Sequence, residues 1–98
     1  MEYSTWVGPV LTAGAVAQAL IEGIRELNRD VMVQDRGAYL RVLAPGRCVV
    51  TQAIVSEKLG RTFELPGDLE QIMSTFKGRF QVTGERAEWT FDGHPVKE

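Results

Sequence analysis

The sequence predicts an α+β fold: a single compact domain with about three helices packed on antiparallel β-hairpins. Three observations predict it. Apolar residues fall at helical spacing over residues 16–27 and 69–76. They alternate with polar residues over 38–43 and 80–91, as half-buried strands do. Gly, Pro and Asp mark the boundaries between these stretches. A length of 98 residues fits one domain.

Residues 1–9 carry Tyr3, Trp6, Gly8 and Pro9 and read as an extended N-terminal arm. The domain proper is expected over 10–92, with a polar tail over 93–98. Thr12 is placed to cap a first helix from Ala13 onward. Val16, Leu20, Ile21, Ile24 and Leu27 form its apolar stripe, and Asn28 to Asp30 end it. Gly14 and Gly23 each weaken that helix by up to about 1 kcal/mol relative to Ala, unless close packing needs a small residue there.

Val31 to Gln34 is a short β-type run, and Asp35-Arg36-Gly37 is a turn signal. In the next run Tyr39 and Arg41 face one way, Leu40 and Val42 the other. Ala44-Pro45-Gly46 is a second turn signal, so residues 38–50 read as a hairpin. Thr51 can cap a second helix over 52–59, and Gly60 stands where a left-handed terminator belongs. Pro66, Gly67 and Asp68 open a third helix, with Leu69, Ile72, Met73 and Phe76 at i, i+3, i+4 and i+7 and Gly78 as its end. A second hairpin follows, with Phe80, Val82, Ala87, Trp89 and Phe91 on its apolar face.

The charge balance limits the function classes. With 11 Lys+Arg against 13 Asp+Glu, the formal charge is −2. That removes the basic footprint of non-specific nucleic-acid or anionic-membrane binding. The apolar run 7–24 is broken by Pro9, Thr12, Gln18 and Glu22, short of the roughly 20 clean residues of a membrane span. No positively charged leader precedes it, so a cytoplasmic location is expected. Cys48 is the only cysteine, which rules out an internal disulfide and a thiolate zinc cluster. Its strand-like neighbours point to a packed, inert thiol.

Catalytic constellations are missing. His94 is the only histidine and lies in the polar tail, a poor platform for a nucleophilic triad. Glu64, Asp68 and Glu70 are the nearest approach to a carboxylate metal site, but Asp68 and Glu70 also suit a first helical turn, where the helix dipole favours negative charge. Neither glycine-rich phosphate-binding motif occurs. Tyr39, Phe80, Trp89 and Phe91 could form a base-stacking sheet, but without a basic run core packing accounts for them better. Tyr39, Arg41, Phe76, Trp89 and Phe91 are assigned chiefly to structure.

The order of several segments resembles the effector, or coupling, proteins of bacterial multicomponent monooxygenases of the toluene and alkene type. This family also includes the phenol hydroxylase and methane monooxygenase regulatory proteins. The matching pieces are Val7-Gly8-Pro9-Val10, the run from Val33 through Asp35-Arg36-Gly37 to Val42, Leu59-Gly60-Arg61-Thr62-Phe63, Ser74-Thr75-Phe76-Lys77-Gly78, and the hairpin that follows. The long N-terminal extension of the methane relatives is not seen, which favours the toluene and alkene side. The resemblance implies a protein without cofactor, metal or catalysis of its own, monomeric when free. It implies docking on a hydroxylase component above a buried carboxylate-bridged diiron centre, adjustment of that site, and better coupling of NADH use to hydroxylation. It also implies docking surface shared with the ferredoxin or reductase that donates electrons.

Candidate contacts with the hydroxylase are Trp6, Val7, Gly8 and Pro9, where a large amphipathic ring sits beside a backbone stiffened by proline. The bland alternative is that Trp6 tucks against the domain. Arg61 and Phe63 come second, and a helix terminus followed by a core anchor would equally explain them. Two other function classes stay open beside the effector: a small-ligand-sensing α/β regulatory domain unrelated to oxygenases, and a small enzyme using carboxylates alone.

Overall fold

Where the sequence suggests an extended arm over residues 1–9, the computed structural model, which describes residues 4–91, holds from Trp6 onward a paired strand, β1 (Trp6–Thr12). After it come α1 (Ala15–Leu27), β2 (Met32–Asp35), β3 (Tyr39–Pro45), β4 (Arg47–Thr51), α2 (Gln52–Leu59), α3 (Gly67–Ile72), β5 (Met73–Lys77), β6 (Arg79–Val82) and β7 (Arg86–Thr90). The strands form two antiparallel sheets, a four-stranded one in the order β2-β3-β1-β5 and a three-stranded one in the order β4-β7-β6. The class is α+β, as expected.

β1 lies inside its sheet because one side of it is wholly apolar. Val7, Pro9 and Leu11 are fully buried against the core. Leaving three such side chains in water would cost about 1.5–3 kcal/mol each. The Gly8-Pro9 pair argues locally against a central strand, since Pro9 has no N–H to donate. The ladder accommodates it: β1 pairs with β3 at Trp6 and Val7 and again from Val10 to Thr12, passing over Gly8 and Pro9. Gly8 has φ +151°, and a Cβ there would stand 2.1 Å from the Val42 carbonyl oxygen. Only glycine fits that approach.

The core continues through Leu40, Val42 and Ala44 of β3, Cys48 and Val50 of β4, and Ala87 and Trp89 of β7. Leu20 and Ile24 of α1, Val55 of α2, Leu69 of α3 and the connector residues Phe63 and Leu65 close it. α1 packs on α2 and β4, and the missing side chain of Gly23 allows it: a Cβ there would meet Ile54 Cγ2 at 3.1 Å and Val50 Cγ2 at 3.3 Å. At the end of α1, the Asn28 side-chain amide donates to the Ile24 and Val49 carbonyls at 2.7 Å each and accepts from the Val49 N–H at 3.0 Å. One residue thus finishes the helix and ties it to β4, the outermost strand of the three-stranded sheet.

Several boundaries differ from the sequence reading. Thr12 ends β1 opposite Tyr39, and Gly14 precedes α1 without a side-chain cap. Residues 38–50 are not a hairpin. β3 pairs with β2 and β1, whereas β4 pairs with β7, so the chain changes sheets at Gly46. That corner is pinned from both sides: the Gly46 N–H donates to the Thr5 carbonyl, and the Phe91 N–H donates to the Gly46 carbonyl, both at 3.0 Å. The hairpin is instead β2–β3, turning at Asp35-Arg36-Gly37, where the Gly37 N–H donates to Asp35 Oδ1 at 2.8 Å. The third helix stops at Ile72, and Met73 to Lys77 become β5 on the free edge of β1. Six helical residues alone are marginal, and pairing with β1 outweighs their periodicity.

Other expectations match. The Thr51 hydroxyl accepts from the Ile54 N–H at 3.2 Å, and Gly60 adopts φ 82° at the end of α2. β6 and β7 form the second hairpin, with Phe80 stacked on Trp89 at 5.2 Å between ring centroids.

Candidate functional site

The four-stranded sheet has two unlike sides. On one, Val7, Leu11, Leu40, Val42 and Ala44 feed the core. The other side faces away from the core. Because directly paired residues share a side, the registers place Gln34, Arg41, Val10 and Thr75 in one row across it. Tyr39 lies opposite Thr12, and Lys77 opposite Gly8, on the same side. α1 and α2 pack against each other and against β4, so this surface stays open: Tyr39 is 45% exposed.

A bulge shapes its edge. Val10 pairs with Thr75 but Leu11 pairs with Met73, so Ser74 is an extra residue in β5. Its hydroxyl lies 3.5 Å from the Val10 carbonyl. The result is a groove of about 380 Å³ lined by Val10, Arg36, Tyr39, Arg41, Ser74, Thr75, Phe76 and Lys77. Three of these are cations and none is an acid. Arg36 Nη2 lies 3.5 Å from Gln34 Oε1, at the outer limit of a hydrogen bond. Arg41 is half-buried in the middle of this row. Phe76 is 41% exposed and joins this rim to the interior, with its ring 5.2 Å from that of Phe80.

The groove offers cationic donors, hydroxyls and apolar surface, a chemistry suited to holding a partner. Elsewhere, among the described residues, no group of three or more His, Cys, Asp or Glu is placed to hold a metal ion. The Asp68 carboxylate accepts from the Glu64 N–H at 2.8 Å, closing the turn into α3. Burial pushes the Cys48 thiol up to about 12, which makes it inert. His94 lies outside the described residues. No helix of the described residues is long and apolar enough to cross a membrane.

The contacts expected from the sequence are dispersed. Val7, Gly8 and Pro9 are buried inside the sheet, and Phe63 is a core anchor whose N–H donates to Ser56 Oγ at 2.9 Å. Val7, Pro9 and Phe63 fill the space between the sheets and helices of their own domain, and Gly8, closed against the Val42 carbonyl, has no side chain. Trp6 is half-buried at the start of β1, on the open side, and Arg61 is exposed in the connector after α2. The open surface is built instead from Tyr39 and Arg41, which the sequence reading assigned to structure, while Phe76, paired with the buried Pro9 on the other side of β5, reaches only the groove's rim. The alternation around Leu40 and Val42 does put Tyr39 and Arg41 on the outward side. Phe76 was masked by the helical periodicity that ends in β5.

Comparison with known proteins agrees with this architecture. Residues 5–90 match the MmoB/DmpM family. The chain is 37% identical over 87 residues to the effector subunit of the alkene monooxygenase system of Xanthobacter autotrophicus Py2, spanning 87% of this chain and 85% of that protein. A chain of the phenol hydroxylase–regulatory protein complex superposes with a TM-score of 0.78 at 22% identity, over 89% of this chain and 99% of that one, a likeness of fold. Regulatory protein B of soluble methane monooxygenase superposes with a TM-score of 0.67 at 29% identity, over 95% of this chain and 69% of that one. Across nearly its whole described length, then, in sequence and in fold alike, this chain belongs to the MmoB/DmpM family.

Proposed function

We propose that this chain is the effector component of a multicomponent monooxygenase of the alkene and toluene type. It binds the diiron hydroxylase and performs no chemistry itself. The observation that carries this reading is the open, cation-lined side of the four-stranded sheet, in a chain 37% identical to an alkene monooxygenase effector subunit. The phenol hydroxylase regulatory protein of the same fold is seen in complex with its hydroxylase.

The mechanism is differential binding. An effector that prefers one hydroxylase conformation shifts the population toward it, and each tenfold shift takes about 1.4 kcal/mol of preference. A few well-packed side chains at the centre of an interface supply that. Tyr39 and Arg41 are of the types enriched at such centres. A rigid sheet is a good platform, because little ordering entropy is lost on docking. Covering the hydroxylase surface also limits water entry to its active site. The chain is a monomer when free, in the cytoplasm where NADH is available, and it competes with the electron-donating component for overlapping hydroxylase surface.

Reconstitution tests this. Added to purified hydroxylase, ferredoxin and reductase, the chain should raise product formed per NADH consumed and have no turnover alone. Electron transfer to the hydroxylase should slow at excess effector. Unchanged coupling, or turnover by the isolated chain, would refute the reading. The groove is within the size range of small-ligand sites. A ligand sensor would gain thermal stability from a metabolite without any hydroxylase present.

A further inference from the structure

The groove has a chemical polarity that narrows what the partner inserts. We propose that it seats a carboxylate side chain from an acidic segment of the hydroxylase, with Arg41 as the anchoring residue; this rests on the effector reading above.

Four observations converge. The chain carries a net charge of −2, yet Arg36, Arg41 and Lys77 line this one groove with no acidic residue among them. Arg36 and Arg41 alone make this groove basic in a chain that is acidic as a whole, so it selects an anion. Second, Arg41 stands in the middle of the sheet, between Gln34 of β2 and Val10 of β1. Half-buried and without an acidic partner among the described residues, it presents a planar fork that matches a carboxylate in bidentate fashion. Third, the hydroxyls of Tyr39 and Thr75 add neutral donors for an acceptor-only group. Fourth, Val10 and the Tyr39 ring supply apolar surface for the methylene stem of a glutamate, in a volume of about 380 Å³ that admits one or two side chains. Two clusters elsewhere contrast with Arg41. On the outward side of the three-stranded sheet, Arg47 and Arg86 are already engaged by Glu88, and Lys58 is engaged by Glu26.

The test uses the full chain and its own purified diiron hydroxylase. Affinity is measured at several salt concentrations for wild type, Arg41→Gln, Arg36→Gln and the control Arg25→Gln on the exposed side of α1. Arg41→Gln should bind roughly tenfold or more weaker, the loss typical of one charge-assisted hydrogen bond at an interface. Its salt dependence should be shallower than that of wild type, while Arg25→Gln should bind as wild type does. An unaltered melting temperature checks that each variant is folded. A second arm uses Arg41→Lys with a zero-length carbodiimide. Residue 41 of that variant should form an amide with a hydroxylase Asp or Glu.

If wild type binds but Arg41→Gln matches it in affinity and salt slope, the carboxylate anchor is refuted and the effector reading stands. If residue 41 of the lysine variant couples to no hydroxylase acid while Lys58 does, the anchor is refuted in the same way. If wild type itself does not bind the hydroxylase, both readings fall.

Discussion

Phe63→Ala separates a core role from an interface role most cleanly. The side chain is fully buried in the core cluster, and only its N–H is anchored outside it, by Ser56 Oγ at 2.9 Å. Burial of a phenylalanine removes about 150–250 Å² from water. At about 25 cal/mol per Å², and keeping the Cβ, truncation costs about 3–5 kcal/mol including the cavity. A domain of this size has about 5–15 kcal/mol of total stability, so the variant should retain a fold but a weak one. The melting temperature should fall by about 12 °C or more. Urea unfolding followed by tryptophan fluorescence, with Trp89 in the same core, measures the loss directly. Hydroxylase affinity, measured where the variant is folded, should change little. A stability loss below about 1 kcal/mol together with a tenfold loss of affinity would overturn the burial argument and return Phe63 to the interface.

Three further outcomes follow from the same geometry. Gly8→Ala should cost about 2–3 kcal/mol or more in thermal melts, because its Cβ would press on the Val42 carbonyl oxygen at 2.1 Å, whereas Gly84→Ala, with open space around it, should be close to neutral. The hydrogen bond from Arg47, with Arg86 assisting, holds the Glu88 carboxyl below the usual carboxylate range, so its ionised form stabilises the fold above the unfolded-state pKa. The stability advantage of wild type over Glu88→Gln should therefore be present at pH 7 and close as acidification passes through the folded pKa; an advantage that grows on acidification would contradict the sign. The Cys48 thiol should resist a thiol-reactive dye at pH 8 in the native chain and react fully in urea, since burial raises its pKa to about 12.

The parts of the fold legible in the sequence are those fixed by neighbours along the chain. Thr51 and Gly60 bracket α2 because a hydroxyl cap and a left-handed glycine are properties of single residues in their local backbone. The β6–β7 hairpin was legible because Phe80, Val82, Ala87 and Trp89 alternate on either side of a short turn. The inert Cys48 followed from its apolar neighbours. The family resemblance, too, rested on the order of local segments.

Where a strand's partner is distant, the sequence underdetermined the outcome. Gly8-Pro9 looks like an arm until β3 and β5 are beside it, and Met73 to Lys77 look helical until the open edge of β1 recruits them. The turn at Gly46 looks like a hairpin until Thr5 and Phe91 take its two hydrogen bonds. The same applies to the site. Trp6, Val7, Gly8, Pro9, Arg61 and Phe63 share attractive side-chain chemistry for an interface, but packing sends Val7, Pro9 and Phe63 inward and closes Gly8 against β3. Alternation in the sequence sets which residues of a strand share a side. Which side meets water is decided only when the second sheet and α1 cover the other, and that long-range burial turned Tyr39 and Arg41 outward, with the bulged strand β5 at the groove's edge.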